Sequence, residues 1–153
     1  MKNILKLIAS IVVSQAAGVI GSFFTVQNIP TWYAGLNKPS FNPPNYLFGP
    51  VWISLYLLMG IAFFLVWKKS ENIKVPALLF TAQLILNALW SILFFGMKNP
   101  ALGFFEIIIL WVFIVLCIVK FFPISKTAAW LMLPYLLWVS FASVLNFKIW
   151  MLN

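Results

Sequence analysis

Five long apolar runs dominate the chain, and short polar or proline-containing links separate them. The runs lie at roughly 7–27, 47–67, 76–97, 101–122 and 127–147. At about 1.5 Å per residue, each run is long enough as a helix to cross about 30 Å of hydrocarbon. The pattern predicts an all-α membrane protein, a single five-transmembrane-helix bundle. The bundle occupies nearly all of residues 1–153 and leaves no room for a soluble domain.

The amino-acid composition agrees with a membrane protein and limits the kinds of site that the chain can form. Hydrophobic residues make up 64% of the chain and charged residues 8%, whereas soluble domains are about one quarter charged. The single cysteine, Cys117, lies inside the fourth run, which predicts a small apolar packing residue. The sequence shows no metal-ligand cluster, nucleophile–base set or phosphate loop. We therefore expect no metal and no conventional catalysis.

The charge pattern predicts the orientation. All ten positive residues are lysines at the ends of the runs, so the net charge of +8 indicates membrane topology rather than nucleic-acid binding. On alternate sides they divide into Lys2, Lys6, Lys68, Lys69, Lys74, Lys120 and Lys126 against Lys38, Lys98 and Lys148. The positive-inside rule then predicts a cytoplasmic N-terminus, an outside C-terminus and an outward-facing 28–46 loop. Short loops and the lack of an arginine-rich presequence favour a multi-pass protein of a bacterial inner membrane.

The N-terminus has a second interpretation. The segment "MKNILK", the apolar run after it and "SQA" resemble a cleavable signal peptide. The apolar run continues through Ala17 to Val26, which is long enough to span, so we favour a retained first helix. Cleavage would not change which side the 28–46 loop occupies.

Polar and aromatic residues concentrate in the halves of the runs nearest this loop. Tyr56, Asn87 and Trp138 fall near mid-span, Glu106 about 8 Å outward and Asn146 about 11 Å outward. The amide and carboxyl groups would be costly against lipid, so we expect them to face the interior. The opposite halves, such as "IAFFLVW" and "IVLCIVKFF", carry no polar group before the lysines. The pattern predicts a pocket open toward the outer leaflet and sealed below, not a pore.

The stretch "WYAGLNKPSFNPPNYLFGPVW", residues 32–52, is rich in proline and aromatic residues. Prolines fix φ and bias the preceding residue toward extended backbone, so we expect a rigid lid. The lid residues are Trp32, Lys38, Pro39, Phe41, Pro43 and Pro44. Anchoring at the membrane interface is the alternative for any one aromatic ring. Lys38 either meets a ligand carboxylate or is simply solvated.

This loop, with "LYLLMG", "NALWSILFF", "GFFEI" and "PYLLWVSFASVLN", resembles the TspO family of tryptophan-rich sensory and translocator proteins. The resemblance covers essentially the whole chain. It implies a membrane receptor or sensor, commonly dimeric, with a pocket under the first loop. The implied ligands are tetrapyrroles such as protoporphyrin IX and synthetic isoquinoline or benzodiazepine compounds, without an obligatory cofactor.

The resemblance also implies the site residues, which are Tyr33, Trp52, Tyr56, Asn87, Trp90, Glu106, Trp138 and Ala142. Trp52 and Trp138 would stack on the ligand. In some bacterial relatives tryptophans at these positions are linked to light-dependent porphyrin degradation, which would make this pair catalytic. Transport of the ligand is a further alternative. Asn87 either contacts ligand or bonds between helices, and Glu106 either has a functional role or holds helices in register.

Three partner questions follow from particular residues. Phe147 stands where the sterol-linked motif of mitochondrial relatives needs tyrosine, so cholesterol binding is doubtful. The chain lacks histidine, the usual axial ligand of haem iron, which favours a metal-free porphyrin. Ser14, Gly18 and Ser22 form a small-residue ladder that predicts either a homodimer seam or packing within one bundle.

Overall fold

The computed structural model describes residues 1–153 and contains five long helices and no strand. The helices are α1 Lys2–Asn28, α2 Asn45–Lys69, α3 Lys74–Ser91, α4 Pro100–Phe121 and α5 Lys126–Leu152. Each is long and apolar enough to cross a membrane, α3 together with a further turn that ends at Gly96. The prediction of an all-α membrane protein with five spanning helices is therefore confirmed.

The helix boundaries follow local capping chemistry. Asn99 caps α4, with its side chain accepting a hydrogen bond from the Leu102 N–H and Pro100 in the first turn. Ser125 caps α5 in the same way, accepting from the Ala128 N–H. α5 continues past the predicted end at 147 to Leu152. The predicted end followed from the apolar run, which stops before Lys148. A lysine near a helix end can keep its charged head in polar surroundings without ending the helix.

The five helices form a closed ring in the order α1, α2, α5, α4, α3. Consecutive helices α2 and α3 therefore have little contact, although a short link joins them. α4 lies between α3 and α5 and packs on neither α1 nor α2 to any extent. This arrangement decides which helices can surround a common space.

The bundle has two unlike halves along its axis. We call the half that carries the 29–44 loop the loop half, and the half at the other end, marked by Lys2, Lys68 and Lys126, the lysine half. The lysine half is filled with side chains that have almost no exposure: Val66, Phe80, Ile114, Cys117, Phe121 and Met132. Phe63 stacks on Phe80 with ring centroids 4.5 Å apart. These side chains therefore occupy the axis of the bundle there.

Small residues on α1 and α2 let these helices approach closely. A Cβ on Gly60 would lie 2.8 Å from the Ile11 Cα, and one on Gly18 would overlap the Tyr56 ring. Ser14 is fully buried and its hydroxyl donates to the Ser10 carbonyl. Ser14 and Gly18 thus pack inside one bundle, which is one of the two alternatives predicted for this ladder. Of the predicted seam residues only Ser22 is exposed.

Candidate functional site

A cavity of about 390 Å³ lies in the loop half, surrounded by α1, α2, α3 and α5. Sites for small molecules typically have volumes of about 300–1,000 Å³. Seven of the eight predicted ligand-binding residues line it: Tyr33, Trp52, Tyr56, Asn87, Trp90, Trp138 and Ala142. The structure therefore brings together residues from the loop and three helices that are far apart in sequence.

Glu106 is the eighth residue, and the prediction that it faces the pocket is wrong. It is 5% exposed, but no residue of α4 lines the cavity. The reason is the ring order, because α4 packs behind α3 and α5. Both carboxyl oxygens are buried without a hydrogen-bond partner.

A hydrogen-bonded trio forms the floor of the cavity. The Tyr56 hydroxyl donates to Asn87 Oδ1, and Asn87 Nδ2 donates to the Tyr135 hydroxyl over 2.8 Å. The trio ties α2, α3 and α5 together at the level where the packed core begins. Asn87 therefore bonds between helices, one of its two predicted roles. An amide has two donors and two acceptor positions, so a ligand contact remains available.

Aromatic rings make up the wall above this floor. Trp52 stacks on Tyr56 with centroids 5.6 Å apart and meets Tyr135 edge-on at 6.1 Å. Trp138 meets the ring of Phe48 edge-on, with centroids 6.3 Å apart. These offset and edge contacts are the arrangements that aromatic pairs prefer. The wall is thus held in place by its own rings.

The three indole N–H groups at the cavity are not equivalent. Trp90 Nε1 donates to Asn146 Oδ1 over 3.0 Å, and Asn146 Nδ2 donates to the Pro100 carbonyl over 2.7 Å. The structure contains no hydrogen bond from the indole of Trp52 or Trp138. Two indole donors are therefore free for a ligand, whereas the third positions the wall.

The 29–44 loop covers the end of the cavity. A 3₁₀ turn at Tyr33–Gly35 carries Tyr33, which is buried. Its hydroxyl donates to Asn42 Oδ1 over 2.6 Å, and burial raises the pKa of Tyr33 to about 12. The ring of Trp32 meets Phe94 edge-on at 5.5 Å. Tyr33 is thus a neutral hydrogen-bond donor that closes the loop onto itself.

The other predicted lid residues lie in the loop but do not line the cavity. Lys38 Nζ donates to the carbonyls of Tyr33 and Leu36, at 2.8 and 2.9 Å, so it is committed to the loop backbone. Phe41 packs edge-on against Phe141, with centroids 6.2 Å apart. Trp32, Lys38, Pro39, Phe41, Pro43 and Pro44 do not line the cavity.

Three hydrogen bonds fasten the loop to the far end of the chain, one of them from Asn37 Nδ2 to the Leu152 carbonyl over 3.3 Å. Asn37 N–H donates to Asn153 Oδ1 over 3.0 Å, and Asn153 Nδ2 donates back to the Asn37 carbonyl over 2.9 Å. Pro44 precedes the first residue of α2, so the loop runs directly into a helix. The cover is fixed at its middle and at its end, as the proline content predicts for a rigid link.

One wall of the cavity was not predicted from the sequence. Gln15, Ser22 and Thr25 of α1 line it, as do Phe94 and Phe95. With Gly18, these α1 positions recur every three or four residues, the spacing of one helix face. Of them, Gly18 and Ser22 were predicted for self-association or for packing within one bundle. The two phenylalanines lie in a π-helical turn, Ile92–Gly96, and no local sequence pattern predicts this turn.

The cavity wall carries no charge, because none of its lining residues is Lys, Asp or Glu. A ligand in this cavity would be held by apolar contact, by stacking on indoles and by a few hydrogen bonds. Such a site suits a broad aromatic molecule, and any charged group on that molecule has to lie at the rim.

Several known proteins are similar to this chain over most of its length. The chain is 53% identical over 153 residues to the tryptophan-rich protein TspO of Archaeoglobus fulgidus, covering 99% of each chain. It is 38% identical over 135 residues to the human translocator protein, covering 86% of this chain and 80% of the relative. It is also 38% identical over 122 residues to the tryptophan-rich sensory protein of Cereibacter sphaeroides, covering 80% and 77%. The pattern that defines the TspO/MBR family matches residues 10–151, and the chain therefore belongs to that family.

Proposed function

We propose that this membrane protein is a receptor for a tetrapyrrole of the protoporphyrin class, and that the cavity of the loop half is the binding site. The observation that carries the proposal is the covered, uncharged cavity with Trp52, Trp90 and Trp138 on its wall. A flat macrocycle presents two large π faces, and offset stacking contributes about 0.5–1.5 kcal/mol per ring beyond burial of area. Synthetic isoquinoline or benzodiazepine compounds fit the same description.

The polar groups refine the choice of ligand. The wall carries no histidine and no charged group, which favours a metal-free ring whose carboxylates stay at the rim. The free N–H groups of Trp52 and Trp138 supply two donors for ring substituents. Asn87 supplies a third polar contact at the floor.

Quenching of tryptophan emission by protoporphyrin IX in detergent or nanodiscs tests the proposal. We expect saturable quenching by wild type at micromolar concentrations. Trp138→Ala should weaken affinity about tenfold, equivalent to about 1.4 kcal/mol. Trp130→Ala is the matched control, since Trp130 lies on the same helix, is exposed and does not line the cavity. Absence of saturable quenching by wild type would contradict the proposal.

Transport of the ligand across the membrane receives less support. The filled lysine half leaves no continuous path beyond the Tyr56–Asn87–Tyr135 floor. Porphyrin flux in proteoliposomes is the direct measurement, and we expect none above the rate of protein-free vesicles.

Stacking of Trp52 on Tyr56, 5.6 Å between centroids, favours a second candidate function, light-driven oxidation of the bound ring by dioxygen. In that reaction Trp52 and Trp138 would act as redox partners of the excited porphyrin. Illumination of the oxygenated complex should then give new absorbing products with wild type and fewer with Trp52→Phe. Identical spectra for protein-bound and free porphyrin would remove this candidate.

The lysine bias supports a further part of the proposal, in which the lysine half faces the cytoplasm and the loop faces outward. The host membrane would be the cell membrane of a prokaryote, in keeping with the archaeal and bacterial relatives. Accessibility of a cysteine placed at Gly35 to a membrane-impermeant reagent, in intact cells against inside-out vesicles, tests this orientation.

A further inference from the structure

The cavity is closed on the side where α1 meets α3. A Cβ on Gly21 would lie 2.9 Å from the Ser91 Oγ, and one on Gly96 would lie 2.9 Å from the Phe24 ring. Real Cβ atoms do not approach neighbours that closely, so the two helices are in direct contact at these points. The Trp32 ring packs on Phe94 above them, 5.5 Å between centroids. No ligand can pass on this side without moving a helix.

Ring contacts close the side where α2 meets α5. Trp52 touches Tyr135 near the floor and Phe48 touches Trp138 higher up, with centroids 6.1 and 6.3 Å apart. Above the helices, the bonds between Asn37 and Asn153 hold the loop over the cavity. Access from water would need these bonds to break.

The seam between α1 and α2 is different. Val19, Ser22 and Val26 on α1 and Asn45, Gly49 and Ile53 on α2 all line the cavity, yet all are exposed. The exposed fractions of Val19, Val26 and Ile53 are 56%, 66% and 62%. Each triplet is spaced by three or four residues, so each forms one stripe along its helix. The two stripes border an opening in the side of the bundle.

This opening ends at a defined depth. Gln15 Nε2 donates to the Ile53 carbonyl over 3.1 Å, which links α1 to α2 across the seam. Just beside it, Gly18 packs against the Tyr56 ring. The helices are therefore in contact toward the lysine half and apart toward the loop half. The opening lies within spans that are long and apolar enough to be embedded in the membrane, so it faces acyl chains of the leaflet on the loop side.

We propose that the ligand enters the cavity sideways, from the hydrocarbon of the leaflet on the loop side, through the α1–α2 seam. The inference rests on the proposed function and adds the route by which the ligand reaches the cavity. It also narrows the class of ligand to a lipid-soluble ring that is already dissolved in the bilayer. Uncharged walls suit such a ligand, because it is desolvated before it arrives. The rim residues Ser22 and Asn45 supply polar groups where substituents of the ring would remain.

A pair of narrowing substitutions tests the route. In the double variant Val19→Phe/Ile53→Phe, one ring is added to each edge of the opening. The matched control is Val12→Phe/Leu57→Phe, on the same two helices at exposed positions that do not line the cavity. Gly35→Phe adds a ring to the loop instead, at a position where a Cβ meets no atom within 4 Å. Association and dissociation rates of protoporphyrin IX are measured in nanodiscs by stopped-flow tryptophan quenching.

We expect the seam variant to slow association about tenfold, within the range known for variants of one binding site. Dissociation should slow as well, since one opening serves both directions. The control and Gly35→Phe should stay within about twofold of wild type. For wild type, adding lipid at constant ligand should lower the association rate in proportion to the mole fraction of ligand in the membrane.

Slower association in Gly35→Phe, with the seam variant at the wild-type rate, would overturn the route and indicate passage through the loop. Faster dissociation with unchanged association in the seam variant would also overturn it, because the added rings would then occupy the site itself. Either result leaves the proposed binding function intact. Absence of quenching by wild type would instead overturn the binding function, and the route with it.

Discussion

The two halves of this bundle are built from the same helices and differ in what meets on the axis. In the lysine half, Phe80, Ile114 and Met132 come from three helices and fill the space between them. In the loop half, Trp52 and Trp138 lie along the wall and pack against neighbouring rings. An apolar composition is therefore not sufficient to fill the space between the helices of a membrane bundle.

The difference arises from side-chain shape and from the spacing of the helices. Medium-sized aliphatic side chains and stacked phenylalanines interdigitate at the density of a protein interior. Indoles held edge-on by their neighbours are rigid and leave a gap that no side chain enters. In addition, α1 and α2 separate on the loop side of Gly18. One half stabilises the fold and the other half contains the cavity. Substitutions in the two halves should consequently have different effects.

Removal of a core ring should give the largest effect. Phe80→Ala deletes a buried ring that stacks on Phe63, and we expect a loss of about 3–5 kcal/mol in the free energy of unfolding. Trp52→Ala should cost about 2 kcal/mol or less, because one face of that indole already borders empty space. Unfolding in mixed micelles measures both variants, and porphyrin affinity should fall only in Trp52→Ala. Equal losses of stability would remove the contrast between the halves.

Gly18→Ala tests the junction of the halves. The added Cβ would overlap the Tyr56 ring, and overpacking of this kind costs about 2 kcal/mol. Displacement of Tyr56 should also weaken porphyrin binding, measured by quenching. Gly35→Ala is the control, because a Cβ there meets no atom within 4 Å, and it should stay within about 0.5 kcal/mol of wild type. A Gly18→Ala protein with wild-type stability and affinity would contradict the contact.

The fold was largely predictable from sequence, because span length and apolarity depend only on local composition. The five helices begin and end close to the predicted positions, and seven predicted site residues reach one cavity. That set came from the family resemblance and from depth, since residues at one depth on different helices meet if they face inward. The depth of a residue depends only on its position along its own helix, so it can be estimated without knowing how the helices pack.

The one wrong site residue and the one question left open have a common cause, the order of helices around the ring. Glu106 lies at pocket depth, but α4 stands behind α3 and α5, so its carboxyl faces the packed interface instead of the cavity. For the α1 ladder the sequence left open a seam between two copies or packing within one bundle, and Gly18 and Gly21 contact α2 and α3 of the same chain. Which face of a helix meets which neighbour is a tertiary property that one amphipathic pattern does not encode.

Asn87→Leu should have a smaller effect, confined to the floor. The substitution removes the partner of two buried phenols, Tyr56 and Tyr135, and interhelical hydrogen bonds in membranes contribute about 1–2 kcal/mol. Tyr56→Phe removes one of the two bonds and should cost about half as much. Unfolding in mixed micelles gives both values. A larger loss in Tyr56→Phe than in Asn87→Leu would mean that the Tyr56 ring position depends on contacts other than the amide.

Tyr33→Phe should give the smallest change and should affect only the cover. It deletes the bond from the Tyr33 hydroxyl to Asn42, which we expect to cost about 1 kcal/mol and to raise amide exchange in residues 33–42 while the lysine half stays protected. In wild type, burial raises the pKa of Tyr33 from 10.0 to about 12. Folding therefore favours the protonated phenol, so its stabilisation is complete below about pH 10 and declines as the pH rises toward 12. Tyr33→Phe should lose that part of the alkaline dependence of stability. If the amide hydrogens of the loop instead exchange as fast in wild type as in the variant, the cover is not closed by this bond. The contrast between a rigid lid and an open α1–α2 seam would then disappear.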